Sequence, residues 1–102
     1  MDMLAAARRA VDYALSVEPD SFASDRMRVD ATMAAVMIVG EASKRISVEG
    51  QREIPGVDWH ALSDVRQYVV HKYFLVDASE LHRAVAETIH GLVPVLEQVL
   101  DL

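Results

Sequence analysis

Three side chains suited to proton transfer and phosphate binding lie within one short stretch of the chain. Arg66, His71 and Tyr73 fall within eight residues of an otherwise largely apolar segment. An imidazole with its ordinary pKa of about 6.5 exchanges protons at neutral pH. A forked guanidinium binds a phosphate and the charge that the phosphate gains during transfer. The set indicates phosphodiester cleavage without a metal, in which a ribose 2′-OH is deprotonated and attacks the neighbouring phosphorus.

Helical spacing puts these residues on different sides of the predicted helix. At about 100° per residue, Arg66 and Tyr73 fall within about 20° of each other, whereas Arg66 and His71 lie about 140° apart. Gln67 and His71, four residues apart, form a pair on the neighbouring stripe. Arg66 and His71 therefore meet only if the guanidinium reaches round the helix or if a second copy packs alongside. The layout favours a site at a groove or a subunit seam.

A plainer interpretation of the same spacing stays open. Arg66 would pair with an acid such as Asp64, and His71 would cap a helix or line the core. Glu41, in an earlier predicted helix, is surrounded by apolar positions and would be costly to bury without a partner. We expect Glu41 either to form a salt bridge or cap contact, or to orient Arg66 or His71.

Composition restricts the class of protein. The 102 residues predict a single domain over residues 1–102, and the 52% apolar share implies surface covered by another copy or a partner. The chain has no cysteine and no histidine pairing at zinc spacing, so we expect neither a metal nor a cofactor. A net charge of −6 argues against a general nucleic-acid coat. No apolar run approaches the about 20 residues that a bilayer requires, and we expect a cytoplasmic protein without membrane association.

Apolar residues recur at helical spacing in four stretches. The first helix is predicted over residues 3–17 and the second over 24–47, while the third and fourth begin at Asp58 and Asp77, two predicted N-caps. Pro94 should kink the last helix. The sequence therefore predicts an all-α, antiparallel four-helix bundle with a kinked last helix.

The second predicted helix is apolar on every side, which indicates a central position, a dimer seam or both. Gly40 should permit close approach of another backbone, and Met27, Met33 and Met37 are predicted to pack. Residues 48–55, which follow, are predicted to form a polar loop.

The motif Arg66-x4-His71-x-Tyr73, followed by Phe74 and Asp77, resembles the signature of HEPN-domain proteins, specifically the HepT-like toxins of HepT/MNT toxin–antitoxin pairs. The resemblance covers about residues 20–97. It includes the segment 40–47 in the second helix, Ile54-Pro55 and Trp59 before the motif helix, and the segment 93–96 in the last helix. One position differs: Gln67 stands where the family usually has Asn or another short polar residue.

The resemblance implies a HEPN-type bundle that works as a homodimer and a toxin with metal-independent ribonuclease activity on RNA. By that analogy Arg66 binds the scissile phosphate, His71 transfers the proton, and Gln67 orients one of them, with Glu41 in support. The resemblance also implies an MNT-type nucleotidyltransferase antitoxin that adenylylates Tyr73. The alternative is a non-catalytic helical module in which the same groove binds a nucleotide or a protein. The longer side chain of Gln67 is the sequence feature that supports this alternative.

Overall fold

Four long helical segments, linked by short turns and two short helices, form the protein in a computed structural model that describes residues 2–100. The helices are α1 (Asp2–Leu15), α2 (Pro19–Ala23), α3 (Arg26–Lys44), α4 (Val48–Arg52), α5 (Trp59–His71), α6 (Ala78–Ala84) and α7 (His90–Val99). A 3₁₀ turn spans Tyr73–Leu75, and a π-helical turn, Val85–Ile89, joins α6 to α7. The predicted all-α bundle is confirmed, with α1, α3, α5 and the continuous α6–α7 segment as its long members. None of the described helices combines the length and the apolar character needed to cross a bilayer.

The two predicted N-caps fix the starts of α5 and α6. Asp58 accepts a hydrogen bond from the Ala61 N–H at 2.9 Å. Asp77 accepts from the N–H groups of Ser79 and Glu80 at 2.8 and 3.1 Å. Each carboxylate satisfies donors that a helix N-terminus leaves without an intrahelical partner. Both caps are therefore confirmed, and they determine where the motif helix α5 begins and where the segment after it ends.

The two short helices correct the predicted connections. The loop predicted for residues 48–55 contains α4, because the Ser47 side chain accepts from the Gly50 N–H at 3.0 Å and starts a turn of helix. Pro19 begins α2, since proline is well suited to the first helical position. Phe22 of α2 is fully buried and anchors this connection to the core.

Helix α3 occupies the centre, in contact with α1 on one side and α5 on the other. Its buried side chains include Met33, as predicted, and Met37 is partly buried against the same core. The prediction was wrong for Met27, which is 83% exposed in the first turn of α3. The other helices complete the core with fully buried residues that include Met3, Phe22, Val69, Leu81, Val85, Ile89 and Leu96.

The last long segment departs from α-helical geometry before its proline. In the π-helical turn the His90 N–H bonds to the Val85 carbonyl, five residues earlier. Pro94 lies inside α7, about one turn further on. Both a π-helical turn and an internal proline can bend a helix. The observed departure from α-helical hydrogen bonding is at residues 85–89, and the kink predicted at Pro94 stays a prediction.

Candidate functional site

Arg66 of α5 packs directly against α3, the helix with which α5 has most of its contacts. A β-carbon built onto Gly40 of α3 would lie only 2.6 Å from the Cβ and Cδ of Arg66 and 2.7 Å from its Cγ. The aliphatic stem of Arg66 therefore lies directly against the α3 backbone, in space that a side chain at position 40 would fill. Gly40 was predicted to permit close approach of another backbone. A close approach is present, but the atoms that approach are those of the Arg66 side chain.

The next residue of α3 binds the end of the same side chain. Glu41 Oε1 accepts from Arg66 Nε at 2.7 Å and also from Arg66 Nη2. The Arg66 side chain is only 17% exposed, whereas Glu41 is half-exposed. Because both donors converge on one oxygen, Nη1 and the outer part of Nη2 are left for another ligand. The packing at Gly40 therefore places the aliphatic stem of Arg66, and the ion pair with Glu41 orients its guanidinium.

The ion pair shifts the titration of its acidic member. The hydrogen bond from Arg66, followed by its charge, lowers the pKa of Glu41 below the ordinary value of 4.5. The expected salt bridge of Glu41 is confirmed, and its supporting role toward Arg66 in the site stays a prediction. The acid that was expected as an alternative partner, Asp64, lies instead 3.4 Å from His60, one turn earlier on α5.

His71 is the last residue of α5, and its ring lies on the surface. Its Nδ1 lies 3.0 Å from the backbone carbonyl of Gln67, four residues earlier. A carbonyl only accepts hydrogen bonds, so this contact favours the tautomer with the proton on Nδ1 and leaves Nε2 free to accept a proton. Gln67 engages His71 through its main chain, while its amide side chain is exposed. His71 neither lines the core nor bonds to Arg66.

Arg66 and His71 are engaged separately within one chain. Five residues of helix separate them, equivalent to about 7.5 Å along the axis and about 140° around it. Arg66 is turned towards α3, and His71 lies at the exposed end of α5. Within residues 2–100, no hydrogen bond joins Arg66 to His71. This agrees with their spacing, which placed the two side chains on different sides of the helix.

Tyr73 follows in the 3₁₀ turn after α5 and is 45% exposed. Its ring packs edge-to-face against Phe74, with ring centroids 5.2 Å apart and an angle of 80° between the planes. The phenol is two residues from His71, at the helix end, as expected. Tyr73 is therefore accessible to an external reagent or enzyme.

Tyr68 has a positioning role that the sequence interpretation missed. Its phenol oxygen accepts a hydrogen bond from the Asp77 N–H at 2.9 Å, and burial raises its pKa above 10.0. The bond ties α5 to the N-terminus of α6 and so closes the segment that contains Tyr73. The sequence did contain a signal for this contact. Asp77 was predicted as an N-cap, and the backbone N–H of an N-cap residue needs an acceptor, which the nearby Tyr68 hydroxyl provides.

A groove of about 660 Å³ lies between α1 and α3, with Glu41 on its edge. Its lining is mainly apolar, with charged groups at the margin: Asp2, Ala5, Arg9, Ala34, Met37, Ile38, Glu41, Ala42 and Arg45. Ile38 is 40% exposed here. Among residues 2–100, no three His, Asp or Glu side chains are grouped as ligands for a metal ion.

Comparison with known proteins shows similarity to one family over almost the whole chain. The family model described as "Ribonuclease HepT-like" matches residues 3–100. A Methanocaldococcus jannaschii protein named as a candidate RNase is 28% identical over 88 residues, which cover 86% of this chain and 81% of that protein. A Thermococcus cleftensis protein named as a candidate ribonuclease HepT is 34% identical over 73 residues, covering 72% and 66%. A Caldanaerobacter subterraneus protein named as a candidate RNase is 29% identical over 79 residues, covering 78% and 67%. No solved structure is significantly similar to the chain.

Proposed function

The chain belongs to the HepT-like ribonuclease family, and from this premise we propose that it is the toxin of a HepT/MNT toxin–antitoxin pair. Family membership confirms the expected family and the expected class of enzyme, a ribonuclease. The proposal adds the residues that act, the second copy that completes the site, and the partner enzyme that silences it.

In the proposed reaction, Arg66 and His71 act on one RNA phosphodiester. Nε2 of His71 takes the proton from a ribose 2′-OH, and the 2′-oxygen attacks the adjacent phosphorus. The P–O5′ bond breaks, leaving a 2′,3′-cyclic phosphate and a 5′-hydroxyl that gains a proton. The part of the Arg66 guanidinium not engaged by Glu41 binds the phosphate oxygens as their charge increases. Glu41 and Gln67 act as positioning residues for Arg66 and His71, respectively.

A second copy is proposed to complete this site. Arg66 and His71 are directed to separate surroundings within one chain, so a pocket that uses both requires residues from two facing subunits. With two copies, one His71 removes the 2′-proton and the other supplies the proton to the leaving 5′-oxygen. The exposed apolar residue Ile38, in the groove beside Glu41, supports association on this side of the molecule.

The proposed regulator is an MNT-type nucleotidyltransferase that transfers AMP from ATP to Tyr73. The Tyr73 oxygen attacks the α-phosphorus, the bond to the β-phosphate oxygen breaks, and pyrophosphate leaves. The exposure of the Tyr73 ring supports access by such an enzyme. The added phosphodiester is anionic and bulky, so it would occupy the space beside His71 and compete with RNA for the cationic groups.

The observation that carries the nuclease proposal is the exposed His71 ring, whose Nδ1 is bonded to Gln67 and whose Nε2 is open. The test is cleavage of a defined RNA by the purified protein and by His71→Ala, Arg66→Ala and His60→Ala. His60 is the matched control, because it is another exposed histidine of α5. We expect 2′,3′-cyclic phosphate products, which the first two variants abolish and His60→Ala retains. Cleavage that persists in His71→Ala, or that fails only in His60→Ala, would refute the assignment.

The modification is tested separately by co-expression with a neighbouring nucleotidyltransferase gene. Mass spectrometry should find AMP on Tyr73 and an unmodified chain in Tyr73→Phe, with Tyr68→Phe as the control because that phenol is already engaged by Asp77. AMP found only on another residue would refute Tyr73 as the target.

One observation favours the alternative of a binding module without catalysis. The Arg66 guanidinium is already paired with Glu41, which reduces the charge available to a phosphate undergoing transfer. The alternative predicts that RNA or a nucleotide binds and is recovered intact, and that Arg66→Ala weakens the binding. Appearance of cyclic-phosphate products in the parent protein, dependent on His71, would exclude this module.

A further inference from the structure

The end of α5 and the turn after it form the longest exposed run next to the proposed site. Residues 70–75 are all exposed, and Phe74 and Leu75 are 88% and 79% exposed. The other phenylalanine of the chain, Phe22, is fully buried. A single exposed aliphatic residue is ordinary, but an aromatic ring this exposed, three residues from His71, is a candidate contact for a ligand bound at the site.

The Phe74 ring has one contact partner before any ligand arrives, the ring of Tyr73. Phe74 and Tyr73 form the edge-to-face pair described above, a geometry that stabilises aromatic pairs and restricts both side chains. The segment is anchored by α5 at one end and by the Tyr68–Asp77 hydrogen bond at the other. Because an edge-to-face contact covers at most one face of either ring, flat surfaces of the pair remain open for stacking.

The charged residues next to this pair along the chain are basic. Residues 65–76 contain no Asp or Glu, and His71 and Lys72, directly before the pair, are both exposed. Acids stand at the two edges of this segment, Asp64 and Asp77, and Arg66 is paired with Glu41, so the cationic character is confined to the exposed end of α5. Cations that flank exposed aromatic rings are typical of surfaces that bind single-stranded nucleic acid, where bases stack and phosphates meet the charges.

We propose that Phe74, supported by Tyr73, stacks against an unpaired base of the RNA substrate and so positions the nucleotide beside the site. This inference rests on the proposed ribonuclease function and assigns a substrate-binding residue to it. The bases of an A-form duplex are stacked on one another and cannot cover an external ring. Stacking on Phe74 would place the sugar–phosphate backbone of the same nucleotide towards Lys72 and His71.

The test measures binding in the His71→Ala background, so that RNA remains intact whether or not the parent cleaves it. The probes are a fluorescently labelled single-stranded oligoribonucleotide and the duplex of the same sequence. The variants are Phe74→Ala, Phe74→Trp and Leu75→Ala. Leu75→Ala is the matched control, because it removes a neighbouring exposed apolar side chain without removing a ring.

Phe74→Ala should weaken single-strand binding about five- to 150-fold, the range expected for one lost base–aromatic stack. Phe74→Trp should retain the affinity, and the oligonucleotide should quench the fluorescence of the new tryptophan. The control is the same titration of the His71→Ala protein, in which only Trp59 contributes to the fluorescence. Leu75→Ala should stay within about twofold, and duplex binding should not depend on residue 74.

Equal losses in Phe74→Ala and Leu75→Ala, a loss shared with the duplex, or no oligonucleotide binding in the His71→Ala background would overturn the stacking proposal. So would a change of oligomeric state in Phe74→Ala by light scattering, because it would assign the ring to a protein interface. The outcome is separable from the nuclease assignment. Binding that depends on Phe74 without cleavage by the parent leaves stacking intact and removes only the nuclease.

Discussion

Adding one methyl group at Gly40 is the most direct test of how Arg66 is positioned. In Gly40→Ala the new Cβ would lie 2.6–2.7 Å from three carbons of the Arg66 side chain. Carbon atoms in favourable contact are about 3.5–4.0 Å apart, so each contact is short by about 1 Å. One of these atoms is the Arg66 Cβ, which is bonded to the α5 backbone and does not move when the side chain rotates. The clash can be relieved only if α5 shifts away from α3.

The expected cost follows from two opposing terms. Overpacking a filled contact costs about 1–3 kcal/mol, whereas replacing a helical glycine with alanine stabilises by about 1 kcal/mol. Gly40→Ala should therefore lower the free energy of unfolding by about 0–2 kcal/mol. Gly91 provides the matched control, because it is also helical and nothing lies within 4 Å of the position of its added Cβ.

The assay compares urea unfolding of the parent, Gly40→Ala and Gly91→Ala, followed by circular dichroism. The helix-propensity terms cancel between the two variants, so Gly91→Ala should be more stable than Gly40→Ala by about 1–3 kcal/mol. Under the proposed function, Gly40→Ala should also lose ribonuclease activity when it is still fully folded, because the shift separates Arg66 from Glu41. Equal stability of the two variants, with activity retained in both, would refute the close contact between Gly40 and Arg66.

Other outcomes are expected from the polar contacts. Because Arg66 lowers the pKa of Glu41 in the folded state, the stabilisation from their pair is fully present above the ordinary pKa of 4.5 and is lost as pH falls through the lowered value. NMR titration of the Glu41 carboxyl should show the lowered pKa in the parent and a higher pKa in Arg66→Ala, where the largest cause of the shift is removed. Tyr68→Phe removes the acceptor of the Asp77 N–H and should reduce the free energy of unfolding by about 0.5–1.5 kcal/mol in urea. Asp77→Ala removes both cap hydrogen bonds of α6 and should cost about 0.5–2 kcal/mol in the same assay. An unchanged unfolding midpoint in either variant would contradict the assigned bonds.

Residues whose structural effect is local were predicted from the sequence. Asp58 and Asp77 act on N–H groups two or three residues ahead, so their positions predicted the starts of α5 and α6. The short helices α2 and α4 were missed because five residues contain too little of a helical repeat to show an apolar stripe. Met27 was misassigned for a related reason: on a helix apolar all round, sequence alone does not identify which side faces solvent.

Contacts between helices were predicted less well. The sequence left Glu41 with several partners and named Asp64 as an acid for Arg66, because intrahelical spacing predicts neighbours only on the same helix. Glu41 and Arg66 are 25 residues apart, and their contact depends on how α3 crosses α5. Tyr68 and Asp77 are nine residues apart on either side of a turn, so no helical repeat relates them.

Two consecutive residues of α3 account for how this helix holds the Arg66 side chain. Neighbouring positions on a helix point about 100° apart, so Gly40 opens space for the Arg66 stem while Glu41 extends past it to the guanidinium. A larger residue at 40 would displace the stem, and a neutral residue at 41 would release the head while leaving the stem packed. The first change alters both packing and the position of the charge, whereas the second alters mainly the charge. Gly40 therefore sets the position of the Arg66 stem and Glu41 the direction of its guanidinium, the two features that the proposed phosphate contact would need.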